Sequence, residues 1–157
     1  MADLRVCAIV EGTMPRTHNI LIIDDDPALL AALPEMLTFN LDRVEVEVIA
    51  CPIEAVQRVQ GAAYDVILCD LAMPRLNGIA VLQQLRISSP HTRCILMTGH
   101  WDEEIRTKAQ QAGAFACVPK PIERNTFLDA IRRALATDVR ASLKDPTAVP
   151  DSSVSTS

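Results

Sequence analysis

Apolar and polar positions along the chain follow two periods that take turns. Short apolar runs stand at 20–23 (ILII), 44–50 (VEVEVIA), 65–70 (DVILCD), 93–98 (RCILMT) and 115–118 (FACV). Four of them are nearly continuous in apolar residues, which predicts strands buried on both faces of a parallel sheet. The 44–50 run instead alternates, with Glu45 and Glu47 between valines. It predicts an edge strand with one wet face.

Between these runs the apolar positions recur at helical spacing. Asp26-Pro27 offers an N-cap followed by a proline suited to a first helical position. Leu29, Leu30, Leu33, Met36 and Leu37 then form a stripe. Pro34 interrupts it, removing a hydrogen bond to Leu30 at a cost of roughly 3 kcal/mol, so a kink is expected there. Residues 52–61 predict a short helix through Ala55, Val56 and Val59, and 76–87 one through Ile79, Leu82 and Leu85. Residues 101–112 predict a fourth through Ile105, Ala109 and Ala112, closed by Gly113. In the fifth, Phe127, Ala130, Ile131, Ala134 and Leu135 fall on one face.

Strand and helix thus alternate five times, which predicts a doubly wound α/β domain: a five-stranded parallel sheet with helices on both faces. With 157 residues, 49% of them apolar, the chain suits one domain with a core. We expect a flexible extension over 1–18, the folded domain over 19–136 and a disordered tail over 137–157, where Ser, Thr, Pro and Asp dominate. Met14 is an alternative translation start.

A net charge of −5 argues against a basic surface for nucleic acid. No apolar run is long enough to span a bilayer, and the opening residues lack the apolar region and cleavage site of a signal peptide. A cytoplasmic protein that touches neither nucleic acid nor membrane is expected. Cys7, Cys51, Cys69, Cys94 and Cys117 are odd in number and widely spaced. They predict neither disulfides nor a zinc site, and most sit in apolar runs, where a free Cys behaves as a small core residue.

Chemistry converges at the carboxyl ends of the strands, where open α/β sheets bind ligands. The first strand ends in Asp24 and Asp25, the third in Asp70, the fourth in Thr98 and the fifth in Lys120. Carboxylates this close raise one another's pKa unless a positive charge joins them. Mg2+ suits the set, since it takes a few carboxylates and also binds phosphate oxygens. Phosphoryl transfer needs little beyond a nucleophile, a metal and groups around the equatorial oxygens. Asp70 would be the nucleophile, Lys120 would balance developing charge, and Thr98 would donate a hydrogen bond. Taken singly, each residue has a plainer reading as a cap, a turn residue or a solvated cation, and for Asp26 the cap is preferred.

The motifs LIIDDDP, DVILCDLAMPRLNG, ILMTG and VPKP, in this order, resemble the receiver domain of bacterial two-component response regulators over about residues 19–136. The resemblance implies the flavodoxin-like strand order 2-1-3-4-5. It makes Asp70 the phosphoacceptor and Asp24 and Asp25 the acidic pair for Mg2+, with Asp25 direct and Asp24 through water. The Ala72 backbone carbonyl would be a further ligand, and Thr98 and Lys120 would contact the phosphoryl group. Met73-Pro74 and Gly78 match the loop after the acceptor, and the Lys120-Pro121 bond is expected to be cis. The implied partners are a histidine kinase or histidine phosphotransfer protein as donor, and a downstream protein meeting the face at about 101–136. There Trp101 is a candidate anchor. The chain reads as a single-domain regulator, without enzymatic activity beyond slow self-dephosphorylation.

Departures from the common pattern are instructive. Cys117 stands where an aromatic residue often swings with the threonine. Pro119 precedes Lys120, tolerable on an edge strand. Ala72 cannot orient a water near the acceptor, whereas His100 can. Three other readings compete. A phosphatase with an aspartyl-phosphate intermediate would use Asp24 and Asp26 as a D-x-D pair, but Pro27 follows and no cap segment is visible. A flavodoxin-like cofactor binder would need Ser, Thr and Gly where three aspartates stand. A degenerate receiver that only docks partners is opposed by the presence of every key side chain.

Overall fold

The computed structural model describes residues 16–73, 77–100 and 102–136. The predicted tail, most of the predicted extension, Met14, Pro74 and Trp101 lie outside them. Five strands, β1 (His18–Ile23), β2 (Val44–Ile49), β3 (Val66–Asp70), β4 (Arg93–Thr98) and β5 (Ala116–Pro119), alternate with five helices. The helices are α1 (Pro27–Asn40), α2 (Pro52–Gln60), α3 (Gly78–Ser88), α4 (Glu103–Gln111) and α5 (Arg124–Ala136). The sheet is wholly parallel in order β2-β1-β3-β4-β5. Both the alternation and the strand order agree with expectation.

The side-chain period of two sorts the core into two layers. Ile20 and Ile22 of β1, Leu68 of β3 and Met97 of β4 pack with Leu33 and Leu37 of α1 and Phe127 and Ile131 of α5. Leu21, Ile23, Cys69 and Leu96 face the other way, against Ala55 and Val59 of α2, Leu82 and Leu85 of α3 and Ala109 of α4. The predicted stripes are therefore the faces buried. Side chains of β1 from Ile20 to Ile23 are fully buried, as a central strand covered on both faces requires.

Local rules set the boundaries. Asp26 Oδ1 accepts the Ala28 N–H at 2.9 Å, Pro27 fills the first position of α1, and the helix continues through Pro34 to Asn40. Asn77 caps α3 through Ala80 N–H, and Asp102 caps α4 through Ile105 N–H. Gly113, at φ 97°, takes the left-handed conformation that ends α4. β1 opens at His18, two positions ahead of the apolar run, because Asn19 N–H donates to the Asp65 carboxylate at 2.8 Å and Arg16 pairs with the same group.

β2 is the edge strand as expected, with Glu45 exposed and the Glu47 side chain 43% exposed. Glu47 accepts from the Tyr64 hydroxyl and pairs with Arg58 of α2. On the valine face, Val48 is the residue left 41% exposed. Cys69 and Cys94 are buried thiols, and burial pushes Cys94 up to about 12. Both act as core residues. No helix among the described residues is long and apolar enough to cross a membrane.

Candidate functional site

At the carboxyl edge of the sheet, β1, β3 and β5 each end in a charged group. Asp24 follows β1 and is wholly buried. Asp70 closes β3 and is 6% exposed. Lys120 follows β5, its backbone N–H donating to the Thr98 carbonyl at 2.7 Å. That bond carries the lysine beyond the strand end and over the two carboxylates. Its Nζ stands 3.0 Å from Asp24 Oδ2 and 3.3 Å from Asp70 Oδ2. The Lys120-Pro121 peptide is cis, as expected.

The remaining carboxylate oxygens are held by local backbone. Asp24 Oδ1 accepts the Asp26 N–H at 2.9 Å, and Asp70 Oδ1 accepts the Ala72 N–H at 3.3 Å. Asp25 is exposed at the mouth of the site. A carboxylate oxygen from each of Asp24, Asp25 and Asp70 lies within 4.8 Å of the others. The hard, oxygen-only donor set and its excess of negative charge fit a small divalent cation.

The charges tune one another. Burial, and after it the charge of Asp24, holds the Asp70 carboxyl above its ordinary value, with the Lys120 ammonium pulling the other way. For Lys120, burial alone would lower the ammonium. Hydrogen bonds and charge from Asp24 and Asp70 outweigh it and hold the group above its usual value. One cation for three carboxylates leaves the edge two negative charges in excess.

Thr98 is placed at this edge but is turned to other partners. It is 2% exposed, its hydroxyl donates to the His100 carbonyl at 3.1 Å, and its oxygen accepts the His100 N–H at 3.0 Å. His100 itself points outward, with its ring 81% exposed and Nε2 3.2 Å from Asp102 Oδ2. Asp26 is occupied as the α1 cap, which removes the second member of a D-x-D pair. Cys117 is half-buried against the α2, α3 and α4 layer and borders a cavity of about 330 Å³ lined also by Arg106, Ala109 and Phe115.

One residue has a role that reading the chain did not assign. A Cβ at Gly78 would lie 2.6 Å from the Asp70 carbonyl oxygen and 2.8 Å from Leu71 Cα. Gly78 N–H donates to the Leu71 carbonyl at 2.8 Å. The first residue of α3 therefore rests directly on the backbone of Asp70, and only glycine permits the approach. Position 78 in the loop motif was the available signal, but spacing alone does not reveal what the backbone meets.

Comparison with known proteins identifies the family and the fold. Residues 20–132 match the response regulator receiver domain family. The chain is 33% identical over 117 residues to the C4-dicarboxylate transport transcriptional regulatory protein DctD of Pseudomonas aeruginosa, covering 74% of this chain and 25% of that protein. It is 31% identical over 117 residues to the response regulator MprA of a Mycobacterium species, covering 74% of this chain and 50% of that one. The chain thus spans between a quarter and a half of the length of these curated relatives. Among solved structures, a response regulator receiver domain protein from Clostridium thermocellum superposes with TM-score 0.71 at 28% identity, covering 82% of this chain and 99% of that one. Chemotaxis protein CheY4 of Vibrio cholerae gives TM-score 0.70 at 26% identity, covering 76% and 99%. With its parallel sheet, its paired aspartates after β1 and its lysine poised over Asp70, the chain belongs to the response regulator receiver domain family.

Proposed function

We propose that this receiver domain accepts a phosphoryl group on Asp70 from the phosphohistidine of a histidine kinase or histidine phosphotransfer protein. The observation that carries the reading is the Lys120 ammonium lying between Asp24 and Asp70, 3.0 and 3.3 Å away. An Asp70 carboxylate oxygen forms the new bond to phosphorus as the phosphorus–nitrogen bond to the donor imidazole breaks, and the imidazole leaves with the bonding pair. Lys120 balances charge on the transferred group, and Thr98 reaches it by exchanging its bond to the His100 carbonyl. Asp24, Asp25, Asp70 and the Ala72 carbonyl would hold Mg2+. When bound, Mg2+ neutralises the carboxylates and the equatorial phosphoryl oxygens.

The signal leaves by contact between proteins, through the face formed by α4, β5 and α5. The cavity beside Cys117 lies on that face and gives a partner side chain a place to enter. A small residue here replaces an aromatic switch with open space, so readout rests on Thr98 and the loop that follows it.

The test is intact mass after incubation with Mg2+ and a small acyl phosphate. One phosphoryl group should be added to the wild type and none to Asp70→Asn. An unmodified wild type, or equal modification of the variant, would overturn the reading.

A further inference from the structure

At the amino end of β4 the surface has the opposite charge character. Asp70 is in register with Met97, whereas Arg93 opens the strand four residues earlier, about 13 Å away along it. A cavity of about 230 Å³ lies there, lined by Arg86 of α3, His91, Arg93 and Gly113, with no acidic side chain in its wall. A bulk water occupies about 30 Å³, so the space is several waters in size.

The two arginines differ in setting: Arg86 is exposed, whereas Arg93 is half-buried. The Arg93 guanidinium carbon stacks 5.2 Å from the centre of the Phe115 ring. Its Nε is buried and has no hydrogen-bond partner. Arg86 lies against the backbone of Gly113, where a Cβ would come within 2.8 Å of its Nε and 3.1 Å of its Cζ. Glycine at 113 therefore does two things: it adopts φ 97° and it leaves room for the arginine. Among the described residues no carboxylate or carbonyl accepts from either guanidinium. The nearby acid, Asp65, takes its backbone bond from Arg93 N–H but turns its carboxylate to Arg16 and Asn19. Arg86 stands in the last turn of α3, where a cation complements the helix end, yet it makes no hydrogen bond to the α3 carbonyls.

Two guanidiniums lining one polar cavity with no acid in its wall match a tetrahedral oxyanion, which accepts paired hydrogen bonds from such groups. We propose that this cavity binds a small oxyanion of the phosphate type between Arg86 and Arg93, with His91 at its rim, as a second anion site remote from Asp70.

The experiment is a titration of the 15N-labelled full chain with inorganic phosphate, without Mg2+ and at ionic strength held constant with chloride. Saturable shifts are expected in the amides of Thr92, Arg93, Gly113 and Ala114, with Asp24 and Asp70 unmoved. Arg86→Gln should weaken binding by about tenfold or more, whereas Lys108→Gln, a neighbouring exposed cation, should change it by less than about twofold. Shifts that never saturate, equal weakening by both variants, or shifts centred on Asp70 would overturn the proposal. Should Arg86→Gln fail to fold, Arg86→Lys keeps the charge and removes the fork, and unchanged affinity in it would equally overturn the proposal.

Discussion

Gly78 and Asp70 touch backbone to backbone: a Cβ on the glycine would sit 2.6 Å from the aspartate's carbonyl oxygen. The start of α3 thereby fixes the end of β3. Overpacking against backbone cannot be relieved by a side-chain rotation, so Gly78→Ala should cost about 2 kcal/mol of stability. Urea unfolding measures this. The same variant should accept phosphoryl groups more slowly, because the displaced carbonyl carries the Asp70 side chain with it. Wild-type stability in Gly78→Ala would show that the loop yields freely.

Lys120 is the cation shared by Asp24 and Asp70, 3.0 and 3.3 Å from them. Removing it leaves two neighbouring carboxylates, one wholly buried and one nearly so. Breaking a fully buried pair costs about 3–5 kcal/mol, and the partial exposure of Lys120 reduces this to about 2 kcal/mol for Lys120→Ala without Mg2+. The pH dependence has a definite sign. Because the folded ammonium is held above its ordinary 10.5, its contribution is complete below that value and disappears as pH rises through the folded value. The gap between wild type and variant should therefore be constant through neutrality, close in strong alkali, and narrow in acid as protonation of Asp70 removes the partner. Thermal unfolding across that range is the measurement.

Local pattern made most of this architecture legible. Continuous apolar runs located β1, β3 and β4, and i, i+3, i+4 spacing located the buried faces of α1 and α5. Asp24, Asp25, Asp70, Thr98 and Lys120 were legible as a group because each stands at a strand's carboxyl end. What escaped was set by contacts distant in sequence. The partners of Glu47, Arg58 and Tyr64, follow 11 and 17 residues later, too far apart for local pattern to pair them. The Arg86–Gly113 contact joins α3 to the turn after α4, and neither position carries a periodic signal. The sequence predicts Thr98 as a donor toward phosphate, but its hydroxyl rests on the His100 backbone, a rotamer choice that spacing cannot specify.

That rotamer is itself testable. The Thr98 hydroxyl both donates to and accepts from the His100 backbone, and both bonds stiffen the loop after β4. Thr98→Val keeps the shape and removes them, leaving the His100 N–H without its partner. A loss of about 1–2 kcal/mol is expected from urea unfolding. Amide exchange at His100 should accelerate in the same variant, while exchange in β1 stays as slow as in the wild type.

Glu47 offers an independent measure of how an edge strand is anchored. It accepts from the Tyr64 hydroxyl while pairing with Arg58, which ties β2 to α2 and to the segment before β3. Tyr64 is 3% exposed, so Tyr64→Phe loses a hydrogen bond to a charged acceptor without opening a cavity. The expected cost is about 1.5–3 kcal/mol. Glu47→Gln keeps an acceptor for the hydroxyl and loses the exposed ion pair, so it should cost less than about 1 kcal/mol. If the two variants were equally unstable, the ion pair rather than the tyrosine would be the anchor.

Asp70 itself should be a residue the fold would be more stable without. Burial, reinforced by the charge of Asp24, holds its carboxyl above the ordinary 3.8, so the folded chain binds this proton more tightly than the unfolded chain does. Between 3.8 and the higher folded value the native state holds the extra proton, and stability falls as pH rises through that window. Above the window the full penalty of the ionised group remains. Asp70→Asn, which is neutral at every pH, should therefore be more stable than the wild type at neutrality in the absence of Mg2+. The advantage should shrink on acidification and vanish once both states are protonated, below about pH 3. Adding Mg2+ should then raise the wild-type unfolding midpoint by mass action and leave Asp70→Asn nearly unchanged. Urea midpoints from acid to neutral pH, with and without Mg2+, give all of these. A variant less stable than the wild type at neutrality without metal would mean that Lys120 already satisfies Asp70, and that the edge has no charge left for a cation to relieve.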